Sequence, residues 1–182
     1  MYYFMKIIFS ILIVAALFFS GCDIQDSIDK ITTFTITNSA EFTVPSSSGV
    51  NLPIDLGTPD VSTSSQQSFE NNNTRADLVE NVNLSELKLT ITSPNDRDFF
   101  FLKSLEIYIS NESEGSTLIA EIQDVPENAG TELDLETTGA NLDEYIKEDS
   151  YDLQYEIVTR ETMNSDTEIR SDMVFEVKAK VL

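Results

Sequence analysis

Apolar residues recur at every second position through most of this chain, and that period confines it to β-strands. Successive side chains of a strand point to opposite faces, so such a segment is apolar on one face and polar on the other. Phe34 and Ile36 alternate with threonines in ITTFTITN, and Phe42 and Val44 carry the pattern to Pro45. Leu52, Ile54 and Leu56 alternate in NLPIDLG, where Pro53, lacking an N–H, marks an edge position. Leu87, Leu89 and Ile91 alternate in ELKLTITS, ended by Pro94, and Leu105, Ile107 and Ile109 in SLEIYISN. Shorter strands are predicted at Leu118–Ile122 and Leu133–Leu135. The longest run over Tyr151–Thr159 and Ile169–Val181, the last with Met173, Phe175, Val177 and Ala179 on one face. Met163-Asn164-Ser165-Asp166 between them reads as the turn of an antiparallel hairpin. One-sided strands repeated at this spacing predict a single all-β antiparallel sandwich over residues 31–182.

Two segments break the rhythm. Residues 57–75 (GTPDVSTSSQQSFENNNTR) offer little to bury and read as a long mobile loop. Residues 141–147 (NLDEYIK) read as one short helix: Asn141 as cap, Glu144 three positions on as in a capping box, and Asp143 near the positive N-terminus. Leu142, Tyr145 and Ile146 would share its inward face. Phe99-Phe100-Phe101-Leu102 cannot all face one side of a strand, so that run is expected to cross between sheets with side chains buried both ways.

Composition excludes more chemistry than it suggests. The chain has 182 residues and no histidine, which removes the usual general base and the commonest transition-metal ligand. Its sole cysteine is Cys22, and it has no tryptophan. Carboxylate-only hydrolysis stays formally open, but it needs a paired-acid cleft that a sequence cannot display. No catalytic residue, metal site or cofactor is expected. Thirty-two acidic against eleven basic residues give a net charge of −21, which repels phosphates and excludes a nucleic-acid partner. Such acidity fits a solvated envelope protein or, alternatively, a surface for cations or a basic partner. Asn95-Asp96-Arg97-Asp98 puts oxygens on a tight turn as calcium loops do, but without their glycine or distal glutamate. Tyr108, Tyr145, Tyr151 and Tyr155 could line a sugar platform, although tyrosine is ordinary on strands.

The N-terminus carries an address. Lys6 supplies the one charge ahead of fourteen largely apolar residues, Ile7–Ser20, which lead to Ser20-Gly21 and Cys22. Charged start, apolar stretch and small residues form the layout of a cleaved signal peptide over residues 1–21, too short for a membrane span of roughly 20 apolar residues. Phe19-Ser20-Gly21-Cys22 resembles the lipobox of bacterial lipoproteins, with Phe19 standing where leucine is usual. That resemblance implies lipidation at Cys22 and membrane attachment through the lipid, with residues 22–30 as a lipidated tether. The tether, Asp23 to Lys30, resembles the acidic export signals of Bacteroidota, and Ser27 sits in a loose O-glycosylation pattern. The block NLSELKLTITSPNDRDFFFLKSLEIYIS (83–110) and the C-terminal stretch from Asn141 to Val181 resemble short lipoproteins of flavobacteria and their relatives. The resemblance implies an immunoglobulin-like β-sandwich on the cell envelope. The expected function is a non-enzymatic binding or accessory module for an envelope protein or glycan, lipid-anchored in the outer membrane. A purely structural envelope protein is the alternative.

Overall fold

The computed structural model describes residues 30–182, so the signal segment, Cys22 and Ser27 lie outside the described residues. One sheet has four strands in the order β1 (Ile31–Val44), β9 (Thr167–Lys180), β3 (Val79–Ser93) and β6 (Glu132–Asp134). The other has five, in the order β2 (Pro53–Ser62), β8 (Ser150–Thr159), β4 (Leu102–Asn111), β5 (Gly115–Ile122) and β7 (Glu136–Thr137). Every strand pairing is antiparallel.

The expected two-sheet sandwich is therefore present, and its core lies between the sheets where the alternation placed it. Ile36 and Phe42, Leu87 and Leu89, Ile107 and Phe175 are all buried there. Full burial of each such side chain contributes roughly 1.5–3 kcal/mol. The strand order is more interleaved than in an immunoglobulin domain, where neighbouring strands A and B share a sheet. Here β1, β2, β3 and β4 fall alternately in the two sheets, as in a double-sheet jelly roll.

Three expectations need correction. Residues 57–75 are not a loop: β2 continues to Ser62, and a helix, α1, spans Ser65–Asn71. Phe69 is the reason, because its fully buried ring anchors that helix edge-on to Phe34, with centroids 6.3 Å apart. The segment around Met163–Asp166 is not a hairpin turn, since β8 and β9 belong to different sheets. It crosses the sandwich, and Met163 is buried on the way. The second helix, α2, spans only Asp143–Ile146 and has Leu142, not Asn141, at its cap. Asn141, one position earlier, accepts at Oδ1 from Asp143 N at 3.4 Å and from Val82 N at 3.3 Å, while Leu142 N donates to Val82 O at 2.8 Å, which ties the helix start to β3. Leu142, Tyr145 and Ile146 are buried as expected.

The aromatic run behaves as its composition required. Phe99–Phe101 form a 3-10 turn that carries the chain from β3 to β4, between sheets. Phe99, Phe101 and Leu102 are buried, and Phe100 remains 36% exposed beneath the Arg160 guanidinium, 5.4 Å from its ring centre.

Candidate functional site

Strand register assembles a feature that no stretch of sequence displays. On the five-stranded sheet, Asp55 pairs with Glu156, Glu156 with Glu106, Glu106 with Glu121, and Glu121 with Glu136. Five carboxylates thus stand in one row across all five strands. Their inward neighbours Tyr155 and Ile107 are core residues, so the row lies on the outer face. At the usual strand spacing it runs about 19 Å. Like charges directly opposite each other on a sheet are destabilising, so folding alone does not account for the arrangement.

One member is held by neighbours. Tyr108 Oη donates to Glu106 Oε2 at 2.6 Å, and Gln123 Nε2 donates to Glu106 Oε1 at 3.1 Å and also to Glu121 Oε2. The Tyr108 hydrogen bond, followed by that of Gln123, holds the Glu106 carboxyl below the usual carboxylate range. The same bond pushes Tyr108 up to about 12, helped by desolvation and by the charges of Glu106, Glu156 and Glu121. Among the described residues, none of the five forms an ion pair. The strands of this sheet carry one cation, Lys103, whose Nζ reaches Asn51 Oδ1 at 3.3 Å.

The four-stranded sheet is built differently. Its outer face interleaves signs: Lys88 with Glu132 at 3.3 Å, Arg170 with Asp172 at 3.0 Å, Lys178 with Glu176 at 3.8 Å and Lys180 with Glu80 at 3.6 Å. The two faces differ in charge pattern although the chain is acidic throughout. Beside the acidic row, the irregularity between Thr58 and Val61 in β2 opens a depression of about 300 Å³ lined by Asp55, Gly57, Ser110, Asp152 and Gln154. Asp152 closes one side by accepting from Asp60 N at 2.9 Å.

The other candidates lie elsewhere. In the Asn95–Asp98 turn, Asp98 Oδ1 accepts from Phe100 N at 3.1 Å and so caps the 3-10 turn. Arg97 reaches Ser165 Oγ at 3.4 Å and lies over the Phe101 ring. Of the four tyrosines, Tyr145, Tyr151 and Tyr155 are buried, which rules out a shared surface platform; Tyr108 alone reaches the outer face. Cys22 cannot be placed relative to any of these, lying outside the described residues. Among those residues, no helix is long and apolar enough to cross a membrane.

No protein-family model matches the chain, and no curated protein matches it. Among solved structures, it is similar to the crystal structure of FLHE, at 9% identity and a TM-score of 0.37, over 81% of this chain and 97% of that one. It is similar to the cyanophage Pam1 capsid at 7% identity and a TM-score of 0.36, over 80% and 85%. A third is the capsid protein of the BFDV 60-mer, at 9% identity and a TM-score of 0.38, over 85% and 96%.

Proposed function

We propose that this chain is a non-enzymatic binding module, anchored to the cell envelope by a lipid on Cys22, whose outer five-stranded face engages a basic region of an envelope partner. The observation that carries the reading is the in-register row Asp55–Glu156–Glu106–Glu121–Glu136. A row that opposes folding is an arrangement proteins keep at functional surfaces, and a field of one sign accelerates encounter with the opposite sign. The lipid anchor rests on the apolar segment before Cys22 and on that cysteine's position after Ser20-Gly21.

Capture of partners from the chain's own envelope tests the reading, comparing the parent with an Asp55→Asn, Glu121→Gln, Glu156→Gln variant. The parent should retain a basic partner that elutes with rising salt, and the variant should lose it while keeping its β-sheet circular dichroism. Equal capture by both would sink the assignment of this face. For the anchor, Cys22→Ser should become soluble or stall as a longer precursor; if it pellets with membranes at parental mobility, the lipid is not there.

A further inference from the structure

Among the described residues the two sheets end in four edge strands: β1 and β6 on one, β2 and β7 on the other. Edges present unpaired backbone N–H and C=O groups, and proteins blunt them with brevity, proline, bulges or lysine. Here β6 has three residues and β7 two. β2 begins at Pro53, contains Pro59 and breaks register between Thr58 and Val61. β1 has no such protection: it runs fourteen residues without proline or lysine, in unbroken register with β9.

Hydrogen-bond parity shows which β1 groups face outward. Val181 N donates to Lys30 O at 2.8 Å, continuing the register in which Ile31 faces Lys180. Hydrogen-bonded pairs alternate along an antiparallel ladder, so Thr32, Phe34 and Ile36 direct their backbone groups to β9. Ile31, Thr33, Thr35, Thr37 and Ser39 direct theirs to the edge. Glu41 has the same parity, and its carbonyl accepts from Thr58 Oγ1 of β2 at 3.2 Å. β2 thus meets the edge at Glu41, beyond the stretch from Ile31 to Ser39.

We propose that Ile31–Ser39 pairs antiparallel with the same segment of a second copy, about a two-fold axis at Thr35, joining two four-stranded sheets into one of eight. Thr35 then faces Thr35 of the second copy, Thr33 faces Thr37, and Ile31 faces Ser39. All are edge-directed residues, so each pair exchanges both backbone hydrogen bonds, and Thr–Thr pairs across strands are favourable. On the inner side, Phe34 meets Ile36 of the second copy, which covers a ring that is only partly buried now. Charge selects the occupant. The chain carries −21, yet residues 31–39 contain no ionisable side chain. A basic strand would find no counter-charge among these residues, and the repulsion between two acidic copies is screened at physiological salt. A neutral, threonine-rich strand fits, and β1 is such a strand.

Cross-linking the full chain in its membrane tests this. Thr35→Cys places two thiols on residues whose Cα atoms lie about 5.5 Å apart in such a pair, within the roughly 4.4–6.8 Å that a disulfide spans. Under mild oxidation it should give a product of two copies' mass, several-fold above the parent, which has only Cys22, and above Thr43→Cys on the same face. Equal cross-linking at Thr43 overturns the proposal, and so does a product of another mass, which would assign the edge to a different protein. In a second measurement, Thr35→Lys sets two ammonium groups against each other across the axis. Sedimentation of the detergent-extracted chain should show several-fold weaker association than the parent, with unchanged circular dichroism. A parent that stays monomeric at physiological salt overturns the proposal.

Discussion

Asn38 Nδ2 donates to Tyr151 Oη at 3.0 Å in the core, joining β1 of one sheet to β8 of the other. Both side chains are buried, and the Tyr151 hydroxyl also approaches Met173 Sδ at 3.9 Å. A second inter-sheet link runs nearby, from Tyr155 Oη to Ser171 Oγ at 2.8 Å and on to Ala40 O at 3.3 Å. Apolar packing tolerates sliding between sheets, whereas these polar contacts fix their relative position.

Removing one partner of the first pair should therefore cost more than the bond itself contributes. Tyr151→Phe leaves the Asn38 amide buried without its acceptor, and a cost of about 1–3 kcal/mol is expected. Asn38→Ala should cost a similar amount. The double variant should lose less than the sum, because the second change removes the group the first one stranded. Chemical denaturation of all four proteins checks this, and strict additivity would show that the pair is not coupled.

The aromatic run offers an internal control. Phe101→Ala empties a fully buried site and should destabilise by about 3–5 kcal/mol. Phe100→Ala, one position away, removes a partly exposed ring and a cation–π contact with Arg160 at 5.4 Å, worth about 0.5–1 kcal/mol. The ordering is the prediction, read from denaturation midpoints; similar losses at both would contradict the 3-10 geometry.

Period two identified the strands and their inward faces because burial acts on every second side chain, as at Leu105, Ile107 and Ile109. It carries no information on which strand lies beside which, so Tyr151–Thr159 and Ile169–Val181 looked like a hairpin although they sit in opposite sheets. Helix α1 escaped notice because Phe69 is its only large apolar residue, with no period to detect. The acidic row was invisible for the same reason as the topology. Its members, from Asp55 to Glu156, are far apart in sequence, and only register brings them together.

The Glu106–Tyr108 bond should be readable in alkaline titration. In the folded chain Tyr108 is held up to about 12, first by its hydrogen bond to Glu106. Because the folded value lies above the ordinary one near 10, this contribution to stability is fully present below about pH 10. It is lost as pH rises towards 12. Glu106 works in the opposite sense: its lowered value gives stability above the usual carboxylate range, lost as pH falls through the depressed value. In Glu106→Gln, ultraviolet phenolate absorbance should show one tyrosine ionising nearer pH 10 than in the parent. An unchanged titration curve would mean that Tyr108 does not make this bond in solution.

Glu156 stands between Asp55 and Glu106, with a carboxylate opposite it on either side. Cross-strand pairs of this kind shift stability by about 0.2–1 kcal/mol each, unfavourably for like charges. Glu156→Gln keeps the side chain's length and removes both repulsions, so it should raise the unfolding free energy at low ionic strength. Salt provides the decisive comparison. The separation beyond which salt screens exposed charges falls from about 10 Å at 0.1 M to about 3 Å at 1 M, so the advantage of the variant should shrink as salt rises. Glu132→Gln on the other sheet is the contrast: that carboxylate pairs with Lys88 at 3.3 Å, so its removal should give no gain. Paired urea titrations of both variants at low and high salt test the argument. A Glu156→Gln variant less stable than the parent at low salt would mean that the row is held together by folding forces, and the case for reading it as a binding face would lose its physical basis.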